Sequence, residues 1–153
     1  MPYDLWPCPV IMIHAMDKFT GAWRLISFEE RQSDGEIKYP YGRTPVGLLI
    51  YDATGRMSVQ VMRSDRAALS SNDLQEAALE EIKAAVEGFT AFFGTYEIDE
   101  EAGTIIHYVE GHLLPGSVGK DLKRSFEFSG DRLILNPSPS RRVIWERIAP
   151  SKK

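Results

Sequence analysis

Residues 19–31, FTGAWRLISFEER, open on Gly-Ala-Trp and continue with apolar and polar side chains in alternation. A period of two marks a strand with one covered and one wetted face. Here it sets Trp23, Leu25 and Ser27 against Arg24, Ile26 and Phe28, and Ser33-Asp34-Gly35 supplies the reversal after it. The bulkiest side chain thus takes the first inward position, directly behind a glycine.

The same alternation governs most of the chain. Past the proline-bounded loop YPYGRTP, residues 46–62 (VGLLIYDATGRMSVQVM) read as a hairpin turning at Asp52–Gly55. One face, taken as Val46, Leu48, Ile50, Met57, Val59 and Val61, is wholly apolar; the other, with Gly47, Leu49, Tyr51, Ser58, Gln60 and Met62, is mixed. If a helix covers the apolar face from outside, Ser58 and Gln60 line an interior; otherwise they are outer residues. The period then changes. Leu74, Ala78, Ile82, Val86 (or Ala85), Phe89 and Phe93 recur every three or four positions, which predicts one amphipathic helix over about 73–93, with Asn72 as N-cap, Gln75 at the third helical position and Gly94 as the stop. Period two returns in TYEID, TIIHYVEGHL, KDLKRSFEFS, RLILN and RVIWERI. Eight or nine short strands with one inserted helix imply a mainly β architecture, a sandwich or an up-and-down barrel. An eight-stranded barrel has room inside for side chains or one small ligand.

The 153 residues are enough for one domain, and the formal charge of −4 with no Lys/Arg block lacks the electrostatic footprint of a nucleic-acid or anionic-membrane partner. Cys8 is the lone cysteine, which excludes an internal disulfide and a cysteine zinc cluster and is in keeping with a cytoplasmic protein. The start, MPYDLWPCPVIMIHAMDKF, has neither a basic n-region nor an apolar run long enough for a signal sequence or membrane span. Residues 1–16 read as an N-terminal extension, with Met16 an alternative start, residues 17–149 as the barrel domain and 150–153 as a tail.

Gly21-Ala22-Trp23 resembles the Gly-x-Trp signature of lipocalin and wider calycin barrels. Five stretches in order, GAWRLISFEER, YPYGRTPVGLLIYDATGRMSVQVMR, FGTYEID, HYVEGHLLPGSVG and VIWERI, resemble the bacterial and fungal lipocalin-like domain family over about residues 18–148. The resemblance implies a barrel with a cavity and a basic partner stacked on the tryptophan, here Arg147, with Arg142 the poorer choice. It departs from secreted lipocalins in having no disulfide, no Thr-Asp-Tyr motif, and a helix inserted mid-chain.

Strand parity locates polar groups inside. Ile105, His107 and Val109 form the more apolar set of their strand, leaving Tyr108, Glu110 and His112 outside; Leu122, Arg124, Phe126 and Phe128 form the inward set of theirs. Pairing 98 with 105 sets Tyr96 opposite His107, and pairing 113 with 120 sets 107 opposite 126 and 109 opposite 124. Tyr96, His107 and Arg124 then gather on the inner face. A guanidinium there demands an anion or several acceptors. His107 and His112 lie five apart, so regular pleating sends them to opposite faces and no metal site is expected. Nor is any cofactor.

These features predict binding of a small, largely apolar molecule with an acidic or carbonyl group, a secondary metabolite or its precursor, oriented by Arg124, His107 and Tyr96, with Ser58, Gln60 and Phe126 as further lining. The alternative is a cofactor-free isomerase, cyclase or hydratase in which the same three residues are catalytic: His107 moves a proton while Arg124 and Tyr96 stabilise an oxyanion. A small molecule is the expected partner, neither nucleic acid nor membrane is, and a homodimer is left open. Trp23 and Arg147 are the structural closure.

Overall fold

The computed structural model describes residues 16–150. The expected extension therefore falls, but for Met16, outside the described residues. Nine strands succeed one another in order: β1 (Gly21–Arg31), β2 (Ile37–Lys38), β3 (Val46–Tyr51), β4 (Arg56–Met62), β5 (Phe89–Asp99), β6 (Thr104–His112), β7 (Asp121–Ser129), β8 (Arg132–Ser138) and β9 (Arg141–Arg147), with a helix α1 (Leu79–Glu87) between β4 and β5. All neighbours are antiparallel, in the order β2-β1-β3-β4-β5-β6-β7-β8-β9, and β1 also pairs with β9. That last pairing closes β1 and β3–β9 into an eight-stranded barrel. β2 is an extra strand laid on the far end of β1, beside Glu30 and Arg31.

The floor is plugged in layers. Residues 16–19 make one helical turn that carries Phe19 under the barrel, where it is 1% exposed and meets Tyr51, Phe126 and Phe128 edge-on at 4.9–5.6 Å. Trp23, equally buried, donates its indole N–H to the Phe19 carbonyl at 2.8 Å. The Arg147 guanidinium stacks 4.2 Å from the Trp23 ring centre and donates to the carbonyls of Thr20 and Lys18. Gly21, at φ 130°, lies so close that a Cβ there would sit 3.0 Å from Arg147 Nη1. Met16 packs against the core, so the folded unit takes in a residue expected to belong to the extension.

Two β-bulges decide which side chains face inward near the other end. In the β1–β9 ladder Trp23 faces Arg147 and Leu25 faces Trp145, but Ser27 faces Ile144, so Ile26 is an extra residue. Beyond it the inward parity changes from odd to even, and Phe28 turns inside. In the β5–β6 ladder Gly94 faces Val109 whereas Phe93 faces Gly111, which makes Glu110 the extra residue and moves His112 onto the inner face. The expectation of strict pleating, with His112 outside, is overturned here. The second bulge leaves no space for side chains on the glycines beside it. A Cβ on Gly94 would come 1.8 Å from the Tyr108 carbonyl oxygen, and one on Gly111 would enter the Phe93 ring at 2.3 Å.

Three further expectations need correction. The β5–β6 pairing of Ile98 with Ile105 and Tyr96 with His107 holds, but β6 and β7 are shifted: His107 faces Leu122 and Ile105 faces Arg124. The connection between them is longer than a tight hairpin, because Val109 already bonds with Lys120 and Gly119, and a 3₁₀ turn at Pro115–Ser117 fills the loop. The shift is by an even number, so Arg124 still points inward. In the β3–β4 hairpin Tyr51 pairs with Met57 and Leu49 with Val59, so the inner face is Gly47, Leu49, Tyr51, Met57, Val59 and Val61. The five residues from Asp52 to Arg56, held by the Asp52 carboxylate on Thr54 and Arg56 N–H groups, preserve odd parity across the turn. Ser58 and Gln60 are consequently outside, hydrogen-bonded to each other. Finally, the helix covers only Leu79–Glu87 in place of 73–93. Asp73 shapes a turn ahead of it, Gly88 ends it, and Phe89–Phe93 belong to β5. A spacing of four keeps two residues on one face in a strand as well as in a helix, which is why Phe89 and Phe93 fitted both.

The bulge glycine gives a test of this packing. Gly94→Ala is expected to lower the unfolding free energy by about 3 kcal/mol, the upper range for overpacking. Gly103→Ala, where φ is 64° but the space is open, should cost only about 1 kcal/mol. Urea unfolding of the two variants checks the order.

Candidate functional site

With the floor filled by Phe19 and Trp23, the open space lies above it. A cavity of about 220 Å³ is bounded by Leu49, Val59, Val61, Leu135, Val143 and Trp145 on its aliphatic side. An aromatic column runs from floor to opening: Phe19, Tyr51, His107, Phe92 and His112 succeed one another at 5.4–6.0 Å between ring centres, and its last three members line the cavity. Phe28, Tyr41, Thr90, His112, Pro137 and Arg141 surround the mouth. Phe28 meets Tyr41 edge-on at 5.1 Å. His112 is there only because of the Glu110 bulge, stacked within 5° of parallel on Phe92, and its Nδ1 accepts the Leu114 N–H. Burial, helped by Lys120, holds its pKa below the ordinary imidazole value.

Polar groups punctuate the interior at few positions. Tyr51 and His107, both almost fully buried, share a 2.7 Å hydrogen bond between the phenol oxygen and Nε2. Burial pushes the Tyr51 phenol far up and, with the Arg124 charge adding to it, drives His107 well below the usual imidazole range. Both rings are therefore neutral at pH 7. Arg124 is part-buried beside them, donates once to its own strand at the Leu122 carbonyl, and stands over Phe92 at 5.9 Å. Among the described residues it has no carboxylate partner. Among the described residues three buried side-chain polar atoms have no hydrogen-bond partner: Thr104 Oγ1, His107 Nδ1 and Trp145 Nε1. Native interiors leave few such groups. Here two of them, together with an unpaired guanidinium, belong to residues lining one cavity.

A larger groove of about 670 Å³ lies between α1 and residues 63–68, but its arginines are already engaged, Arg63 by Asp65 and Arg66 by the Ala85 carbonyl. The barrel cavity is the stronger candidate. Comparison with known sequence families bears on the same barrel: the pattern of the lipocalin-like domain matches residues 20–150. The chain belongs to the lipocalin-like domain family. The match begins at the residue before Gly21 and takes in the closing strand, so it covers the whole barrel. A search of curated proteins found no match. Among the described residues of this lipocalin-like barrel no helix is long and apolar enough to cross a membrane.

The site residues expected from sequence are distributed unevenly. His107 and Arg124 face the cavity together. Tyr96 lies one layer lower: its ring packs on Tyr51 at 4.7 Å and its hydroxyl donates to the Asp52 carbonyl at 2.7 Å. It is absent from the lining because the β4 turn captures it. Phe126 is likewise in the floor, against Phe19 and Phe128. Ser58 and Gln60 are on the outer surface of β4. Two residues were missed. Tyr51 stood on the mixed face with Ser58 and Gln60, but nothing in the strand pattern announced its bond to His107; Trp145 would have emerged from its place two residues before Arg147 on the same strand face.

His107 makes stability depend on pH with a definite sign. Its folded pKa lies below the unfolded value near 6.5, so the unfolded chain takes up the proton first. The stability is complete above about pH 6.5 and is lost as pH falls below it, at a slope approaching 1.4 kcal/mol per pH unit for this group. Replacing His107 by Gln should flatten that part of the profile, measured by urea unfolding between pH 5 and 8.

Proposed function

We propose that this lipocalin-like barrel binds one small, largely apolar molecule with an acidic or carbonyl group. The observation that carries this reading is Arg124, a cation without a carboxylate partner among the described residues, in the lining of a largely apolar cavity. A guanidinium withdrawn from water without a partner is unfavourable, and an acceptor on a bound molecule offsets that cost. At about 220 Å³ the space is below the ~300–1,000 Å³ typical of drug-sized ligands. The occupant is accordingly the size of one substituted ring or a short branched chain. Apolar contact with Leu49, Val59, Val61, Leu135 and Val143 supplies most of the affinity, and Arg124 and His107 fix the orientation.

A second reading, proton transfer to or from the bound molecule, draws on the Tyr51–His107 hydrogen bond. It requires turnover that His107→Gln abolishes, whereas simple binding returns the molecule unchanged.

Native mass spectrometry of the purified protein is the direct test. A small acidic molecule should co-purify, and Arg124→Met should weaken its retention by about 10–100-fold, the range for a hydrogen bond to a charged group. Val61→Phe, which fills the upper cavity, should also remove it. Retention undiminished in both variants would place the molecule elsewhere and refute the proposal.

A further inference from the structure

The outer face of β3, β4 and β5 is apolar where a closed barrel meets water. Ladder pairing aligns Ala22, Ile50, Ser58, Phe93 and Gly111 in one row across five strands, and Leu48, Gln60 and Ala91 in the next. Val46, Ile50 and Phe93 are 47%, 41% and 53% exposed, so α1, which ends at Glu87, leaves them uncovered. The two polar side chains in these rows, Ser58 and Gln60, are hydrogen-bonded to each other at 2.9 Å. Single apolar residues are ordinary on a surface, but a contiguous group of them marks a place of contact.

Shape and charge make a second copy of the chain the fitting partner. The Phe93 ring lies across Gly111, where only a glycine leaves room for it. A recess of about 380 Å³ beside that ring has Ile50, Met57 and Gly94 in its lining and two charged residues, Asp52 and Arg56. Both are already held within the chain, Asp52 by the N–H groups of Thr54 and Arg56, and the Arg56 guanidinium by Glu110 at 3.0 Å. A partner of strong charge gains nothing from a lining of zero net charge. A copy related by a two-fold axis, by contrast, sets the acid of one chain toward the base of the other and a protruding ring toward a recess. Because β3, β4 and β5 are each paired on both sides, the face offers no strand edge to an extended peptide, and contact is through side chains. We propose that two chains associate through this face about a two-fold axis, the Phe93 ring of each entering the recess of the other. The two rings then meet near the axis, where aromatic pairing adds to the apolar area removed from water.

Sedimentation velocity of the full chain over roughly 1–100 μM should show a monomer–dimer equilibrium. Phe93→Glu and Phe93→Lys should each raise the dissociation constant at least about 30-fold, the effect of losing a central aromatic anchor. Mixed in equal amounts, the two variants should form dimers that neither forms alone, because the axis brings residue 93 of one chain against residue 93 of the other. Ile50→Lys, in the same recess, should dissociate the dimer with Phe93 intact, and circular dichroism checks that each variant keeps the β spectrum of the parent. A parent chain that stays monomeric throughout the range overturns the proposal and leaves the face to an unlike partner. A dimer that survives both Phe93→Glu and Ile50→Lys has its interface elsewhere and overturns it equally. Dissociation without recovery in the mixture would overturn the two-fold arrangement.

Discussion

An antiparallel sheet of eight strands is free of exposed edges only when its first and last strands meet, and here they meet at Trp23 opposite Arg147. One cation ties three parts of the chain at that point. Its guanidinium covers the indole of β1, its backbone belongs to β9, and its N–H groups hold the carbonyls of Thr20 and Lys18 that lead in from the Phe19 turn. Contact of this kind contributes roughly 0.5–2 kcal/mol in cation–π attraction. Its larger effect is geometric, because it sets the stagger of β1 on β9 and hence the layer at which every inward residue above it sits.

Above the plug the molecule departs from what packing alone favours. A core optimised for stability would pair Arg124 with a carboxylate or replace it with an apolar side chain. It would also give His107 Nδ1 and Trp145 Nε1 an acceptor. Each buried donor left alone costs about 1–3 kcal/mol; His107 and Trp145 line that space, whereas the third such group among the described residues, Thr104 Oγ1, lies away from it. Local departures from the packing rules are expected where a fold serves function, and those at His107, Arg124 and Trp145 support the binding proposed above.

Much of this was legible in the residues. Period two gave the strands, the Gly-x-Trp and last-strand arginine gave the closure, and parity put His107 and Arg124 on a common face even though the β6–β7 register was displaced, since an even displacement conserves facing. What remained hidden has one physical origin: odd-numbered events in a system whose period is two. The five-residue turn at Asp52–Arg56 put Met57, Val59 and Val61 in place of Ser58 and Gln60 on the inner side, beside Leu49 and Tyr51. The extra residues Ile26 and Glu110 turned Phe28 and His112 inward. Nothing in the alternation announces a bulge, although Gly94 and Gly111 flanking one of them are its trace. The helix was overextended for a related reason, the shared spacing of four.

The layered floor has a kinetic consequence. With Phe19 and Trp23 filling one end, any molecule in the barrel arrives and departs through the same aperture between Phe28, Tyr41, His112 and Arg141. In a space this small a newcomer cannot pass an occupant, so exchange is sequential: departure must precede arrival, and excess competitor cannot accelerate release. Residence time is then governed by how readily the groups around that aperture yield. Phe28 and Tyr41 line the cavity as well as its aperture, so substitutions there would alter how long an occupant stays more than how fast one arrives.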